Sequence, residues 1–393
     1  MRPLLFLLSL PLLAQGEKII RENYTKYEYR IAARDGKRLF TSVYIPKDQS
    51  QKWPILLNRT PYSVAPYGVD QYKADLGPNA ELAETKYIFV YQDVRGRNMS
   101  EGEFVNMTPH KAVKRSPQDI DESSDTYDTI DWLVKNLPNN NGKVCTYGIS
   151  YPGFYTAAGM IDAHPAHVCA SPQAPITDWF TGDDFHRNGA LYLPHGFNFL
   201  AGFGKPRPEP VVPPKDRVRF DYGTPDGYKF YLQLGPLYNA NERYFKNTVA
   251  FWNEMMRHDT YDEFWQSRNL RPHLKAVKPA VMTVGGWFDA ENLYGARIMF
   301  LTTTSRVNRL LTLHTRIMFL TTTSQVNRLK TLQRSLFFLD AQFHVRRGRL
   351  QLMSPLIWVV CLVRKTQGRA WFNHQGISHS LWVTVLFLTM VKL

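Results

Sequence analysis

The segment that decides the fold is Lys143–Gly159, KVCTYGISYPGFYTAAG. Ser150 lies just after a predicted strand and just before an Ala- and Gly-rich predicted helix. Small residues relieve crowding at a sharp turn, and the following helix directs its N-terminus at a developing oxyanion. The motif is G-x-S-Y-x-G, because Pro152 takes the place of the second glycine in the usual G-x-S-x-G. The context predicts a nucleophilic Ser150, although the G-x-S tripeptide alone fits a strand-end serine without function equally well.

Working outward, the chain alternates strand-like and helix-like patterns. Tyr27–Pro46 holds two alternating runs around an Asp-Gly turn and predicts an opening hairpin. The other predicted elements are strands at Pro54–Asn58, Tyr87–Gln92, Lys143–Tyr147 and Pro279–Gly285, and a helix at Ser124–Asn136. Strands separated by helical patterns predict an α/β fold with a mostly parallel sheet.

Between Thr177 and Leu274 the pattern changes to aromatic, helical segments with Pro-rich breaks, which predicts an inserted helical cap over the carboxyl ends of the strands. The predicted divisions are a signal peptide (1–16), the first part of the core (17–175), the cap (176–274), the second part of the core (275–296) and a basic tail (297–393).

The first 16 residues, MRPLLFLLSLPLLAQG, combine an early base, an apolar run and small residues suited to cleavage. This pattern predicts a secreted or periplasmic protein, and a first core strand is the weaker alternative. Residues 17–296 contain no stretch of the ~20 apolar residues that a membrane span needs, so no stable membrane insertion is expected.

The net charge of +14 belongs to the tail. Residues 297–393 hold 14 Lys and Arg and one acid, Asp340, whereas residues 1–296 hold 34 bases and 33 acids. A nucleic-acid or membrane binder would rest on this tail alone, which has no recognised binding motif. We therefore expect no nucleic-acid partner.

The tail begins with a repeat: Arg297–Thr315 is followed at once by the similar Arg316–Arg334. Two copies are too few for a solenoid, which usually needs three or more. The duplication, the near-absence of acids and the loss of pattern favour translation in a wrong reading frame. A genuine basic C-terminal region remains the alternative.

The cysteines are few and scattered. Cys145, Cys169 and Cys361 form no C-x-x-C pair, so the spacing predicts buried free thiols and no zinc site.

Several ordered motifs resemble the Xaa-Pro dipeptidyl-peptidase (S15)/cocaine esterase-like hydrolases, from about Tyr27 to Ala296. They are RTPY (59–62), QDVRGRNMSEGEF (92–104), YDTIDWL (127–133), the segment around Ser150 and VGGWFDAENLYGA (284–296). The resemblance implies an α/β-hydrolase fold with a cap; the C-terminal jelly roll usual in this family is not readable here.

The resemblance also implies roles for individual residues. Ser150 would be the nucleophile, and Asp289 of the G-W-x-D segment would orient a catalytic histidine. The Tyr62 hydroxyl and the Tyr151 backbone N–H would stabilise the oxyanion. A turn aspartate and a core tyrosine are the structural alternatives for Asp289 and Tyr62.

Within the group, the chain is similar to α-amino acid ester hydrolases, in which a carboxylate cluster binds the substrate ammonium group. The matching positions are Asp184, Glu291 and Asn292, the last being an acid in those enzymes. A desolvated ammonium ion needs paired negative charge, so the missing acid weakens the case for amine selectivity. Alternatively, Asp183 and Asp184 are a helix N-terminal pair favoured by the helix dipole.

The sequence contains no histidine in the context expected for the general base. The family histidine follows the aspartate in a Gly-Pro-x-x-His-Gly type loop, and no such loop occurs here. The histidines after Asp289 all lie in the tail outside that context: His314, His344, His374 and His379.

These patterns predict a serine hydrolase that cleaves an ester, amide or peptide bond of a small-molecule or peptide substrate through an acyl-Ser150 intermediate. Such covalent catalysis needs no metal or organic cofactor. The alternatives are a plain carboxylesterase and a catalytically inactive homologue that lacks the histidine and the last strands. Homo-oligomerisation is left open.

Overall fold

The computed structural model describes residues 16–78, 82, 86–205, 207, 209–214, 220–286, 288–303 and 315–320. The chain forms two compact units. One spans residues 21–73 and 87–322 and contains every element discussed below. The described residues of the other are 16–20, which are helical, 74–78, 82 and 86. The predicted signal peptide lies outside the described residues except for Gly16.

The described residues form an eight-stranded sheet in the order β1-β2-β4-β3-β5-β6-β9-β10. Its strands are β1 (Tyr24–Ala32), β2 (Arg38–Pro46), β3 (Trp53–Thr60), β4 (Ile88–Asp93), β5 (Asn140–Ile149), β6 (His167–Gln173), β9 (Ala280–Gly286) and β10 (Thr315–Leu320). A two-stranded sheet pairs β7 (His186–Arg187) with β8 (Ala190–Leu191). Strand β2 is antiparallel to β1 and β4, and every other pair in the large sheet is parallel. The predicted hairpin and the mostly parallel α/β sheet are confirmed.

Helices connect and cover these strands. They are α1 (Glu122–Asn136), α2 (Tyr151–Gly159), α3 (Leu193–Phe203), α4 (Gly227–Leu234), α5 (Ala250–Arg257), α6 (Glu263–Gln266) and α7 (Leu293–Thr303). The described helices from α3 to α6 lie between β6 and β9, in the region predicted to be a cap. Helix α1 begins two residues before the predicted Ser124, because the Asp121 side chain and Ser124 form a reciprocal capping box.

Two apolar clusters stabilise this arrangement. One packs α1, through Ile130 and Leu133, against strands β1 to β5. The other surrounds α2 and extends over the helices between β6 and β9, with Trp179 and Trp252 fully buried. Strand β5 lies between β3 and β6 at the centre of the sheet, and the serine that follows it is hydrogen bonded to the end of β6.

The family motifs before Ser150 turn out to build a buried polar network. Arg59 of RTPY contacts Glu122 of α1 at 3.0 Å and Gln92 of β4 at 2.8 Å. Arg95 pairs with Asp125 of α1 at 2.6 Å. Buried charges require such partners, because desolvation of an unpaired ion is costly. This network joins β3, β4 and α1 and so anchors the turn that carries Tyr62.

The prediction of free thiols is wrong for two of the three cysteines, because Cys145 and Cys169 form a disulfide. They lie opposite each other on the parallel neighbours β5 and β6, with Cα atoms 4.6 Å apart. Their 24-residue separation in sequence carries no sign of this register. Cys361 lies outside the described residues.

The described part of the tail has regular structure, which the sequence did not lead us to expect. Helix α7 continues through Arg297 to Thr303, and β10 pairs with β9 from Thr315 opposite Val281 to Leu320 opposite Gly286. Strand β10 therefore extends the sheet beyond β9. The rest of the tail lies outside the described residues. No helix in the described ranges is long and apolar enough to cross a membrane.

Candidate active site

Ser150 occupies a strained turn between β5 and α2. Its φ of 62° and ψ of −122° are unusual for a residue with a side chain. The backbone N–H donates to the Gln173 carbonyl at 3.0 Å, and its own carbonyl accepts from the Phe154 N–H at 3.0 Å. Its side chain makes no helix-cap hydrogen bond. This geometry is the strand–turn–helix elbow that the sequence predicts.

The two glycines of G-x-S-Y-x-G are required by close backbone approach. A Cβ on Gly148 would overlap the Pro152 carbonyl oxygen. A Cβ on Gly153 would lie 2.5 Å from the Gln173 carbonyl oxygen. The second glycine of the motif, Gly153, is one position later than in the usual pattern, because it is the residue of α2 that faces the end of β6.

The residues predicted to stabilise the oxyanion lie together beside this turn. The Tyr62 and Tyr151 rings meet edge to face with centroids 6.4 Å apart. Tyr151 is the first residue of α2, where backbone N–H groups point out of the helix. Its side chain is buried and its hydroxyl donates to Asn106 Oδ1 at 3.0 Å, so only its backbone N–H is suited to the predicted role.

Asp289 follows β9 in a tight turn, three residues after Gly286. Its Oδ1 accepts hydrogen bonds from the backbone N–H groups of Glu291 at 2.8 Å and Asn292 at 2.9 Å. Strands β5 and β9 are both parallel neighbours of β6, so Ser150 and Asp289 follow the same edge of the sheet, on strands roughly 10 Å apart. Asp289 thus also shapes the loop that carries two members of the predicted cluster.

The structure brings the three predicted cluster residues together. Asp184 Oδ2 accepts from Asn292 Nδ2 at 2.8 Å, and the Asp184 N–H donates to the Glu291 carbonyl at 3.2 Å. Trp179 Nε1 also donates to Asp184 Oδ2, at 3.0 Å. Both donors bind the same oxygen, so they orient the carboxylate and leave Oδ1 facing away from them.

The alternative of a helix N-terminal pair at Asp183 and Asp184 is wrong, because β7 and β8 follow these residues instead of a helix. Asp183 is fully buried and accepts from the N–H groups of Thr177 and Gly295, each at 2.8 Å. It therefore ties the turn before Asp184 to the start of α7. Burial raises the pKa of Asp183 to about 7, against these hydrogen bonds.

His195 is a neighbour of the cluster that the sequence did not single out. Its Nε2 lies 3.3 Å from Asp184 Oδ1, and its Nδ1 lies 3.5 Å from Glu291 Oε1. Burial lowers the pKa of His195, but the hydrogen bond to Asp184 and the charges of Asp184 and Glu291 outweigh it, so the pKa is raised. A histidine 11 residues after Asp184 fits no familiar spacing, and only the fold brings it here.

An arginine side chain lies close by. The Arg187 guanidinium stacks over the Tyr192 ring at 5.2 Å, and the Tyr192 ring is nearly parallel to the His195 ring at 5.7 Å. Arg187 also donates to the Ala290 carbonyl in the loop after β9. The cluster thus contains two carboxylates, a guanidinium and an imidazole.

Asp184, His195 and Glu291 have ligand-type atoms within 4.8 Å of one another. The two carboxylates contact different nitrogens of the imidazole, so the group consists of two carboxylate–imidazole contacts that share one ring.

The described residues supply no base for Ser150. No histidine within the described ranges hydrogen bonds to Ser150 or Asp289, and His314, His344, His374 and His379 lie outside them. Two surface cavities, of about 350 and 270 Å³, lie around the N-terminal end of α1 and are lined by residues such as Lys114 and Asp35. Neither contains Ser150, Asp184 or Asp289.

Comparison with known proteins agrees with this geometry. Residues 35–316 match the family model X-Pro dipeptidyl-peptidase (S15 family), which extends past Ala296 into the tail. The chain is 25% identical over 273 residues to cocaine esterase from Rhodococcus sp. (strain MB1 Bresler), covering 66% of this chain and 43% of the relative.

Two solved structures are more similar in sequence. An aminopeptidase from a marine sediment Thaumarchaeota archaeon is 31% identical with a TM-score of 0.67, and an α-amino acid ester hydrolase is 29% identical with a TM-score of 0.65. Each match covers 76% of this chain and 48% of the other, so the chain spans about half the length of these relatives. The fold is that of the α/β-hydrolases, and the chain belongs to the X-Pro dipeptidyl-peptidase (S15) family.

Proposed function

We propose that this protein is a serine hydrolase that cleaves esters or amides of small α-amino acids or dipeptides through an acyl-Ser150 intermediate. The observation that carries the proposal is the strained Ser150 at the start of α2, beside Tyr62 and on the same sheet edge as the Asp184 cluster. Backbone strain of this kind persists only where the surrounding structure enforces it, and it is concentrated at functional sites.

In the proposed reaction, Ser150 Oγ loses its proton to a base and attacks the substrate carbonyl carbon. The C–O or C–N bond then breaks, the departing alcohol or amine takes up the proton, and water hydrolyses the acyl ester. The Tyr62 hydroxyl and the Tyr151 N–H would bind the tetrahedral oxyanion, and loss of one such donor typically costs ~10²–10³ in rate. Asp289 would orient the histidine that takes the Ser150 proton. No histidine of the described residues hydrogen bonds to Ser150 or Asp289.

The α-amino part of the proposal rests on Asp184 and Glu291. Their carboxylates lie in one cluster, and charge-assisted hydrogen bonds are the strong interactions available to an ammonium group. Asn292, where similar enzymes carry an acid, donates to Asp184 instead of adding charge. A plain carboxylesterase is the competing function for this reason.

Covalent labelling with a fluorophosphonate probe tests the nucleophile, because the probe reacts with activated serines. We expect the full chain to be labelled and Ser150→Ala not to be. Tyr62→Phe should slow labelling by about 10²-fold through loss of one oxyanion donor, whereas Tyr228→Phe, which alters a largely exposed ring in α4, should not. Labelling that persists in Ser150→Ala would refute the proposal, and no labelling of the full chain would identify an inactive homologue.

Substrate class is tested with alanine methyl ester and its N-acetylated form. Faster hydrolysis of the free amine supports the α-amino proposal, and equal rates support a carboxylesterase.

We also propose that the protein is exported after removal of its N-terminal 16 residues. The Cys145–Cys169 disulfide supports an oxidising compartment, since such bonds are rare in the cytosol. N-terminal sequencing of protein recovered from outside the cytoplasm should begin near Glu17, and an intact Met1 would contradict export by cleavage.

A further inference from the structure

The cluster predicted to bind an ammonium group already contains one of its own charges. His195 lies between Asp184 and Glu291 and contacts one carboxylate through each ring nitrogen, at 3.3 and 3.5 Å. A neutral imidazole has one N–H and one lone pair, whereas an imidazolium has two N–H groups. The imidazolium can donate toward both carboxylates and the neutral ring toward only one, so this arrangement favours the charged form.

We propose that His195 determines the charge specificity of this site: as an imidazolium it takes the place of a substrate ammonium group, and as a neutral imidazole it releases a carboxylate to bind one. The inference rests on the proposed function, because it concerns the same cluster. It adds a residue and a pH dependence that the resemblance to amino acid ester hydrolases does not imply.

Glu291 is the carboxylate expected to be released. Asp184 is held by Trp179 and Asn292 and its side chain is only 10% exposed, whereas the Glu291 side chain is 47% exposed. Loss of the second N–H would turn a ring lone pair toward one carboxylate. The more exposed, less constrained Glu291 can then move and accept hydrogen bonds from a ligand.

The charges around His195 support this exchange. Asp184 and Glu291 carry two negative charges, and Arg187 stays positive at all relevant pH values because a guanidinium does not titrate there. Asp289 lies in the same loop as Glu291. With His195 charged, the positive charges of His195 and Arg187 balance Asp184 and Glu291. With His195 neutral, the group gains one net negative charge, which favours a cationic ligand.

Binding to the full chain carrying Ser150→Ala tests the proposal without turnover or a catalytic base. Isothermal titration calorimetry would measure the Kd of alanine methyl ester between pH 5.5 and 8, with EDTA present to remove adventitious metal. At each pH the Kd is calculated from the concentration of the protonated, ammonium form of the ester. We expect the Kd to fall about tenfold as the pH rises, because the neighbouring positive charge of His195 is lost. A change of this size is typical for one charge at a partly exposed site. N-Acetylalanine methyl ester should show no such dependence.

Two substitutions at His195 should change the affinity for the amino ester in opposite directions. A variant that failed to fold would only lose affinity. His195→Gln keeps hydrogen bonding without charge, so it should bind the amino ester about tenfold more tightly than the parent at pH 5.5. Its pH dependence should be much smaller, the remainder coming from the neighbouring Asp183. His195→Lys stays charged and should bind weakly at both pH values. His258→Gln is the matched control. His258 also lies between two carboxylates, those of Asp262 and Glu254, but at the C-terminal end of α5.

A pH dependence of the Kd that is undiminished in His195→Gln, or no tightening of binding at pH 5.5, would overturn the proposal. Equal binding of the amino and acetylated esters in every variant would overturn it together with the α-amino part of the proposed function. Fluorophosphonate labelling of Ser150 distinguishes that outcome from failure of the hydrolase assignment, since labelling does not depend on the cluster.

Discussion

Asn292 Nδ2 donates to Asp184 Oδ2 at 2.8 Å, which joins two positions 108 residues apart in the chain. The amide therefore preserves the geometry of the cluster while removing one negative charge relative to similar enzymes. This contact links the turn before β7 to the loop after β9, and the cluster exists only because both turns lie at the same sheet edge.

Asn292→Asp should strengthen binding of α-amino esters about tenfold, because it adds a carboxylate to a site that otherwise balances its own charge. It should also lower the free energy of unfolding by about 1–3 kcal/mol without ligand, since a buried donor becomes an acceptor facing Asp184. Calorimetric Kd values for amino and acetylated esters and urea unfolding would measure both effects. An unchanged ratio of the two Kd values would contradict the prediction.

Gly148→Ala should abolish labelling of Ser150 and lower the free energy of unfolding by about 3 kcal/mol or more, because the new Cβ overlaps the Pro152 carbonyl. Gly202→Ala is the control: it lies in α3 with no atom within 4 Å of the added Cβ. Since Ala favours helix over Gly by ~1 kcal/mol, that variant should be equally or more stable. Normal labelling of Gly148→Ala would show that the elbow tolerates a side chain.

Acid should destabilise the fold through His167. Burial lowers the pKa of His167 to about 4, whereas an unfolded histidine titrates near 6.5. Because the pKa is lower in the folded protein, the unfolded chain binds a proton first on acidification. The stability that the neutral His167 contributes is complete above pH 6.5 and is lost as the pH falls toward 4. Its full size is about 3 kcal/mol.

Urea unfolding at pH 7 and pH 4.5 would measure this loss. His167→Gln, which retains a partner for Thr146 Oγ1 at 2.9 Å, should lose less stability on acidification than the parent. His258→Gln alters a histidine whose side chain is 29% exposed, far more than that of the buried His167, and should behave like the parent. An identical acid response in His167→Gln and the parent would assign the effect to other groups.

The Cys145–Cys169 disulfide should contribute about 3 kcal/mol, because it closes a 24-residue loop in the unfolded chain. Peptide mapping of the alkylated, unreduced protein should recover these cysteines as one linked, unlabelled pair. The Cys145→Ala/Cys169→Ala variant should unfold at lower urea concentration, and dithiothreitol should have the same effect on the parent alone. Alkylation of both cysteines before reduction would refute the pairing.

Local patterns were sufficient to predict the fold class and the strand–turn–helix elbow at Ser150. The β-branched run before Ser150, the small residues after it and the Asp-Gly turn at Asp35 each determine conformation through neighbouring residues. The positions of Asp184, Glu291 and Asn292 came from family resemblance, and their convergence required the sheet. His195 and the disulfide partners could not be predicted, because both depend on contacts between segments distant in sequence.

The tail shows most directly what tertiary structure decides. The sequence RIMFL occurs at Arg297–Leu301, within helix α7, and again at Arg316–Leu320, within strand β10. The intrinsic preferences of these five residues are the same in both copies. The second copy lies against the exposed edge of β9, whose unpaired backbone groups offer a ladder of hydrogen bonds, whereas the first follows the turn at Asp289 and continues a helix. By itself, the sequence determined the elbow and its strands; the edge available to each segment decided between helix and strand, because backbone hydrogen bonding outweighs the small differences in local propensity.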